Sequence, residues 1–295
     1  MASPAILTSG LTKRYGRTLA LLDLSLEVRP GEVFGFLGPN GAGKTTTIRL
    51  LMGLLQPTGG SATVLGMDAW SVVAELHRRL SYVSSDFVVW PHLTGEENLE
   101  LLGSLHWGAD PALRAGLIER FEFDPSLRGR AYSRGNVQKL GLIAAFQTRP
   151  ELMILDEPTT GLDPLMARAF RDLVQEARGE GRTIFLSSHV LSEVEAICDR
   201  VGILRAGRLV EIGTLDDLRH LSARVVEIGF TGPAPRLEGI DGVTVETVED
   251  HLIRCEVHGP MAPLLVALRA TDVTTMDARE ASLEELFLRY YGEEG

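Results

Sequence analysis

Over the first 220 residues, short apolar runs that end in polar or glycine-rich turns alternate with helical periodicity, and this pattern predicts an α/β domain. VFGFL (33–37) reads as a buried strand leading into a glycine-rich turn, and TTTIRLLMGLL (45–55) follows with apolar positions at helical spacing. LMILDE (152–157) and TIFLSS (183–188) read as two further buried strands, both ending in polar residues. Ligands gather at the carboxyl ends of strands in open parallel sheets, so these polar ends mark where a site is expected.

Between about 87 and 150 the period turns helical. Thr94 and Glu97 have capping-box spacing before NLELLGSLHW, and Asp110-Pro111 reads as a cap followed by proline in the first turn. In AYSRGNVQKLGLIAAF (131–146), Ser133 is an N-cap candidate ahead of an apolar stripe of Leu140, Ile143, Ala144 and Phe146. Gly135, at the start of that helix, costs stability relative to alanine, which implies that something approaches the backbone closely there.

After about residue 221 the texture changes. ARVVEIGF, VTVETV and HLIRCEV read as strands, PLLVALRA as a helix, and Ser282 with Glu285 as the cap of LEELFLRYY. The sequence thus predicts a main domain over 1–220 with a helical insertion at about 87–150, then a small α+β domain over 221–295. A length of 295 residues suits one large and one small domain.

Charge narrows the choice of partners. With 29 basic and 40 acidic residues the net charge is −11, which argues against a nucleic-acid surface. The two cysteines, Cys198 and Cys255, lie far apart and suggest neither a disulfide nor a metal site, as in a reduced cytoplasmic compartment. No apolar stretch has the length of a membrane-spanning helix, and the opening MASPAILTSG lacks the pattern of a secretory signal.

GPNGAGKTT (38–46) carries the chemistry. It fits the phosphate-loop pattern G-x-x-x-x-G-K-[ST] between a strand and a helix. Gly38, Gly41 and Gly43 let the backbone curl so that N–H groups along the loop, from Asn40 and Ala42 to Thr46, face phosphate oxygens. Lys44 is placed to reach the outer phosphates, and Thr45 to offer a hydroxyl to Mg²⁺. Asp156 and Glu157, at the end of the apolar run LMIL, supply a carboxylate for the Mg²⁺ shell and a base for the attacking water.

These elements, SRGNVQK upstream of LMILDE, then EPTTGLDP (157–164) and SSHVLSEVEAICDRVGILRAGRLVEIG (187–213), occur in one order. Over residues 5–220 the chain resembles the ATP-binding subunits of ABC transporters. The resemblance implies a P-loop NTPase (RecA-like) core with an inserted helical subdomain, ATP with Mg²⁺ as cofactors, and ATP hydrolysis. It implies a second copy of the chain in a head-to-tail pair that sandwiches two ATP molecules. It also implies a separate transmembrane permease at the cytoplasmic face of the membrane, most similar to the ABC-2 type of drug, antibiotic or sodium exporters. A soluble ATPase of the same family, acting as a mechanical switch without a membrane, is the alternative. The single cassette, the absence of long insertions and the acidic balance speak against it.

By the same resemblance Tyr15 stacks on adenine. Ser133 and Gly135 take the place of the signature motif that closes over the partner copy's γ-phosphate, with Arg134 replacing a glycine and Asn136 a glutamine. Asp163, which by itself also reads as a helix N-cap before Pro164, bridges the two copies, and His189 contacts the γ-phosphate and supports Glu157. One position departs: where many relatives carry a glutamine near Mg²⁺, this chain has Ser85 followed by Asp86. Either Asp86 or a water then stands in as a Mg²⁺ contact, or Asp86 merely caps its loop. Phe87 and Trp90 are candidates both for anchors to a membrane partner and for ordinary core packing.

Overall fold

The computed structural model describes residues 3–105, 109–220 and 224–280. By contacts the chain forms two compact units, Met1–Ile212 and Gly213–Gly295, so the boundary falls earlier in the chain than residue 220.

The first unit contains two sheets. One consists of β1 (Ile6–Tyr15), β2 (Thr18–Val28), β4 (Gly59–Val64) and β5 (Met67–Asp68), in the order β2-β1-β4-β5 with antiparallel pairing. The other has six strands, ordered β10-β9-β3-β8-β7-β6. It is built from β3 (Val33–Leu37), β6 (Leu80–Val83), β7 (Leu152–Asp156), β8 (Thr183–Ser188), β9 (Arg200–Arg205) and β10 (Arg208–Thr214). Its pairs β3–β8, β3–β9, β6–β7 and β7–β8 are parallel.

Every residue of β3, β7 and β8 is buried, which is why these strands read as continuous apolar runs rather than alternating ones. The rings of Phe34 and Phe185 stack across β3 and β8 with centroids 5.8 Å apart. The helix α1 (Lys44–Leu51) follows β3 directly and packs Ile48, Leu50 and Leu51 into the core shared by both sheets. It ends short of residue 55 because the chain turns back at Gly53, whose amide bonds to Leu50 O.

The helices α2 (Val73–Arg79), α6 (Pro164–Gly179) and α7 (Leu191–Ile197) flank the parallel strands in sequence. The segment between β6 and β7 is helical, with α3 (Gly95–Ser104), α4 (Pro111–Arg120) and α5 (Arg134–Phe146). Each starts at the expected cap. Thr94 and Glu97 close a reciprocal capping box, Asp110 accepts from Ala112 and Leu113, and Ser133 Oγ accepts from the Asn136 amide at 3.3 Å. Fully buried Gln147 ties this segment together, donating to Leu99 O at 3.0 Å and accepting from Arg114 Nε at 2.9 Å.

The second unit carries α8 (Leu215–His220), β11 (Arg224–Thr231), β12 (Val243–Glu249), β13 (Leu252–Val257), α9 (Ala262–Ala267) and β14 (Asp272–Glu280). Its antiparallel sheet has the order β12-β13-β11-β14. Val226, Ile228, Phe230, Ile253, Cys255 and Leu264 form its core. The expected helix cap at Ser282 and Glu285 lies outside the described residues. Among those residues no helix is long and apolar enough to cross a membrane.

Candidate functional site

The loop between β3 and α1 wraps a cavity of about 170 Å³ lined by Pro39, Asn40, Gly41, Gly43, Lys44, Thr45, Thr46, Ala20 and Glu157. Gly43 caps α1 with φ 112°, in the left-handed region, and a Cβ there would lie 2.7 Å from Ala20 O. Only glycine fits both the turn and the space. The α1 amides are left facing the cavity without a side-chain cap, the arrangement that favours an anion.

Lys44 is 5% exposed, and its ammonium folds back on the loop, donating to Gly38 O at 2.6 Å and Pro39 O at 3.2 Å. Burial lowers its pKa, against the opposing pull of Glu157 and Asp156.

Parallel pairing then sets the acids beside the loop. Asp156, at the end of β7, sits opposite Ser187 of β8 in register. Ser187 Oγ donates to Asp156 Oδ1 at 2.5 Å, Thr45 Oγ1 donates to Oδ2 at 3.0 Å, and Ser85 Oγ approaches Oδ2 at 3.5 Å. These donors are all hard oxygens around one carboxylate, which suits Mg²⁺; that cation takes one or two carboxylates and completes its shell with phosphate oxygens and water. Among the described residues no group of three or more His, Cys, Asp or Glu is able to hold a metal unaided.

Glu157 leaves the strand with φ 52°. For a residue with a Cβ this costs about 1–3 kcal/mol, and surrounding contacts must hold it. Its amide donates to Ser187 O at 3.2 Å and Ser187 Oγ at 3.1 Å. The resulting turn aims Glu157 Oε1 to within 3.3 Å of His189 Nδ1 and 3.7 Å of Lys44 Nζ, while Thr160 Oγ1 lies 3.5 Å from Oε2.

Other sequence-selected residues lie apart from this cluster. Tyr15 is 46% exposed at the end of β1. Asp163 caps α6, accepting from Leu165 and Met166 at 3.0 and 2.9 Å. Ser133 and Gly135 open α5 and are absent from the lining of the phosphate-loop cavity. Gly135 has a reason within its own chain: a Cβ there would lie 2.8 Å from Gly161 O.

Asp86 is exposed and, with Ser85, Arg134 and Gln138, lines a separate cavity of about 330 Å³; of these two neighbours it is Ser85 whose hydroxyl approaches Asp156. Phe87 and Trp90 also separate. Phe87 packs where Gly141 of α5 leaves room for it, whereas Trp90 is 45% exposed although buried Asn98 pins its backbone.

Sequence reasoning missed Ser187. Its contact with Asp156 spans 31 residues and follows from strand order, although the serine pair closing TIFLSS was a visible hint.

Residues 21–160 match the ABC transporter family. The daunorubicin resistance ATP-binding protein of Streptomyces coeruleorubidus is 36% identical over all of this chain and 98% of its own length. The bacitracin transport ATP-binding protein of Bacillus licheniformis is 34% identical over 98% of each. A solved ATP-binding subunit of an ABC transporter superposes with a TM-score of 0.68 at 33% identity, covering 73% of this chain and 92% of that one. Phosphate loop, paired acids and near full-length similarity agree: the chain belongs to the ABC transporter family, among its ATP-binding subunits.

Proposed function

We propose that the chain hydrolyses ATP to ADP and phosphate with Mg²⁺, as the energising subunit of an exporter whose transport path is a separate permease. One observation carries the chemistry: Lys44 and His189 converge on one carboxylate oxygen of Glu157 at the mouth of the phosphate loop, beside Asp156 and Thr45.

When nucleotide enters, Lys44 exchanges the Gly38 and Pro39 carbonyls for phosphate oxygens. Thr45 and Asp156, with Ser85 nearby, would hold Mg²⁺, which neutralises charge on the phosphates. Glu157 accepts the proton of the attacking water, and His189 keeps its carboxylate oriented. The water oxygen bonds to the γ-phosphorus as the bond to the ADP oxygen breaks.

A cavity of about 170 Å³ is small against the roughly 300–1,000 Å³ of sites that enclose a ligand. One chain therefore grips mainly the phosphates. Tyr15 supplies a surface for the base, and Ser133, Gly135 and Asp163 of a second, head-to-tail copy close the site. Both relatives are about a third identical to this chain along nearly its whole length, yet one is named for daunorubicin and the other for bacitracin. Such unlike names on similar subunits support a separate permease that selects the substrate; the motif resemblance suggests one of ABC-2 type, with this subunit at the membrane's cytoplasmic face.

The test is phosphate release by the purified chain, alone and co-expressed with a candidate multi-span permease from the same organism. Turnover that depends on Mg²⁺ and rises with the permease is expected. Absence of turnover in both preparations overturns the reading.

A further inference from the structure

Tyr15 does not present two equivalent faces. Lys13 Nζ lies 5.1 Å from the centroid of its ring, within the range of a cation–π contact. The register of β1 against β2 slips on both sides of Lys13, and bulges of this kind re-aim side chains.

The ammonium is also anchored, donating to Gln56 O at 2.7 Å. Gln56 belongs to the loop that follows α1, the helix opened by the phosphate loop. The same loop holds the neighbouring backbone: the Arg14 amide donates to Thr58 Oγ1 at 2.8 Å, and the Thr58 amide to Thr12 O at 2.8 Å. The end of β1 is thus fastened to the segment behind the phosphate loop, and Lys13 extends that fastening to the tyrosine ring.

We propose that Lys13 is a positioning residue for the nucleotide base. It occupies one face of Tyr15, leaves the opposite face for adenine, and fixes the ring relative to the phosphate loop before ATP arrives. Rotamer freedom lost in advance is not lost again on binding, so affinity rises without a direct contact between Lys13 and ATP. A cation over one face also draws π density toward itself, which favours an electron-rich purine on the other. The inference rests on the reading of Tyr15 as the base-stacking residue.

The test compares ATP with inorganic tripolyphosphate, which has the phosphates and no base, by calorimetric titration at matched ionic strength and Mg²⁺. Lys13→Met, which keeps length and loses charge, is expected to weaken ATP binding about two- to fivefold. Its KM rises in step while kcat holds, tripolyphosphate binds as before, and Lys13→Arg restores ATP affinity. In a Tyr15→Leu background Lys13→Met has no further effect. Equal weakening toward tripolyphosphate overturns the inference, because Lys13 would then act on the phosphates through its charge. A full additional loss in the Tyr15→Leu background overturns it as well. Unchanged ATP affinity in Tyr15→Leu alone removes the tyrosine reading, and with it the inference.

Discussion

His189 Nδ1 lies 3.3 Å from Glu157 Oε1, within reach to fix the direction in which that carboxylate points. Changing Glu157 to Gln keeps the shape and removes the base. Turnover is expected to fall at least about a hundredfold, with ATP affinity retained. ATP-bound pairs then accumulate, visible by size-exclusion chromatography; a variant with near wild-type turnover refutes the role of Glu157.

If His189 orients Glu157, His189→Ala lowers kcat by about ten- to a hundredfold, and the ATP dissociation constant changes much less. A loss confined to ATP affinity assigns His189 to nucleotide binding alone.

Burial lowers the Lys44 pKa, so the folded chain sheds this proton before the unfolded chain does. The penalty for burying the charge is full below the lowered value, shrinks as pH rises through it, and vanishes above the unfolded value. Lys44→Met therefore abolishes tight ATP binding yet leaves the melting temperature of the nucleotide-free protein at or above wild type. Thermal melts at neutral and alkaline pH check both parts: the gain is expected to be largest at neutral pH.

Ser85 Oγ approaches Asp156 at 3.5 Å, whereas the neighbouring Asp86 is exposed. The Mg²⁺ concentration for half-maximal hydrolysis is expected to rise about two- to threefold in Ser85→Ala, an effect the size of one weakened hydrogen bond. The Asp86→Ala titration is expected to overlay wild type. The opposite pattern returns the metal-side role to Asp86.

All contacts named around the phosphate loop lie within Met1–Ile212. That segment, expressed alone, is expected to fold and bind ATP within about threefold of the full chain. Failure to bind shows that the site needs Gly213–Gly295.

What the sequence revealed was local. Ser133, Asp110 and Asp163 announce helix starts because each bonds an amide two or three residues ahead. The runs 33–37 and 183–188 announce buried strands because both faces of each are covered. Phosphate loop and paired acids are contiguous motifs, and they too were legible. Hidden from sequence were contacts set by the order of strands, such as Ser187 on Asp156, and the left-handed turn at Glu157. The neighbour of Gly135 was hidden for the same reason. A glycine advertises that space is needed, but not which residue fills it.

That neighbour is Gly161, whose carbonyl oxygen would lie only 2.8 Å from a Cβ of Gly135, and Gln138 Nε2 donates to Pro158 O at 2.9 Å. The opening of α5 and the turn that follows Glu157 are therefore geared to each other. In the head-to-tail pair proposed above, the first would face the partner's nucleotide and the second would belong to the chain's own. On the proposed pairing, whatever moves the turn after Glu157 at one nucleotide would reach, through this joint, the surface that clasps the other, and the two sites would then turn over as one cooperative engine.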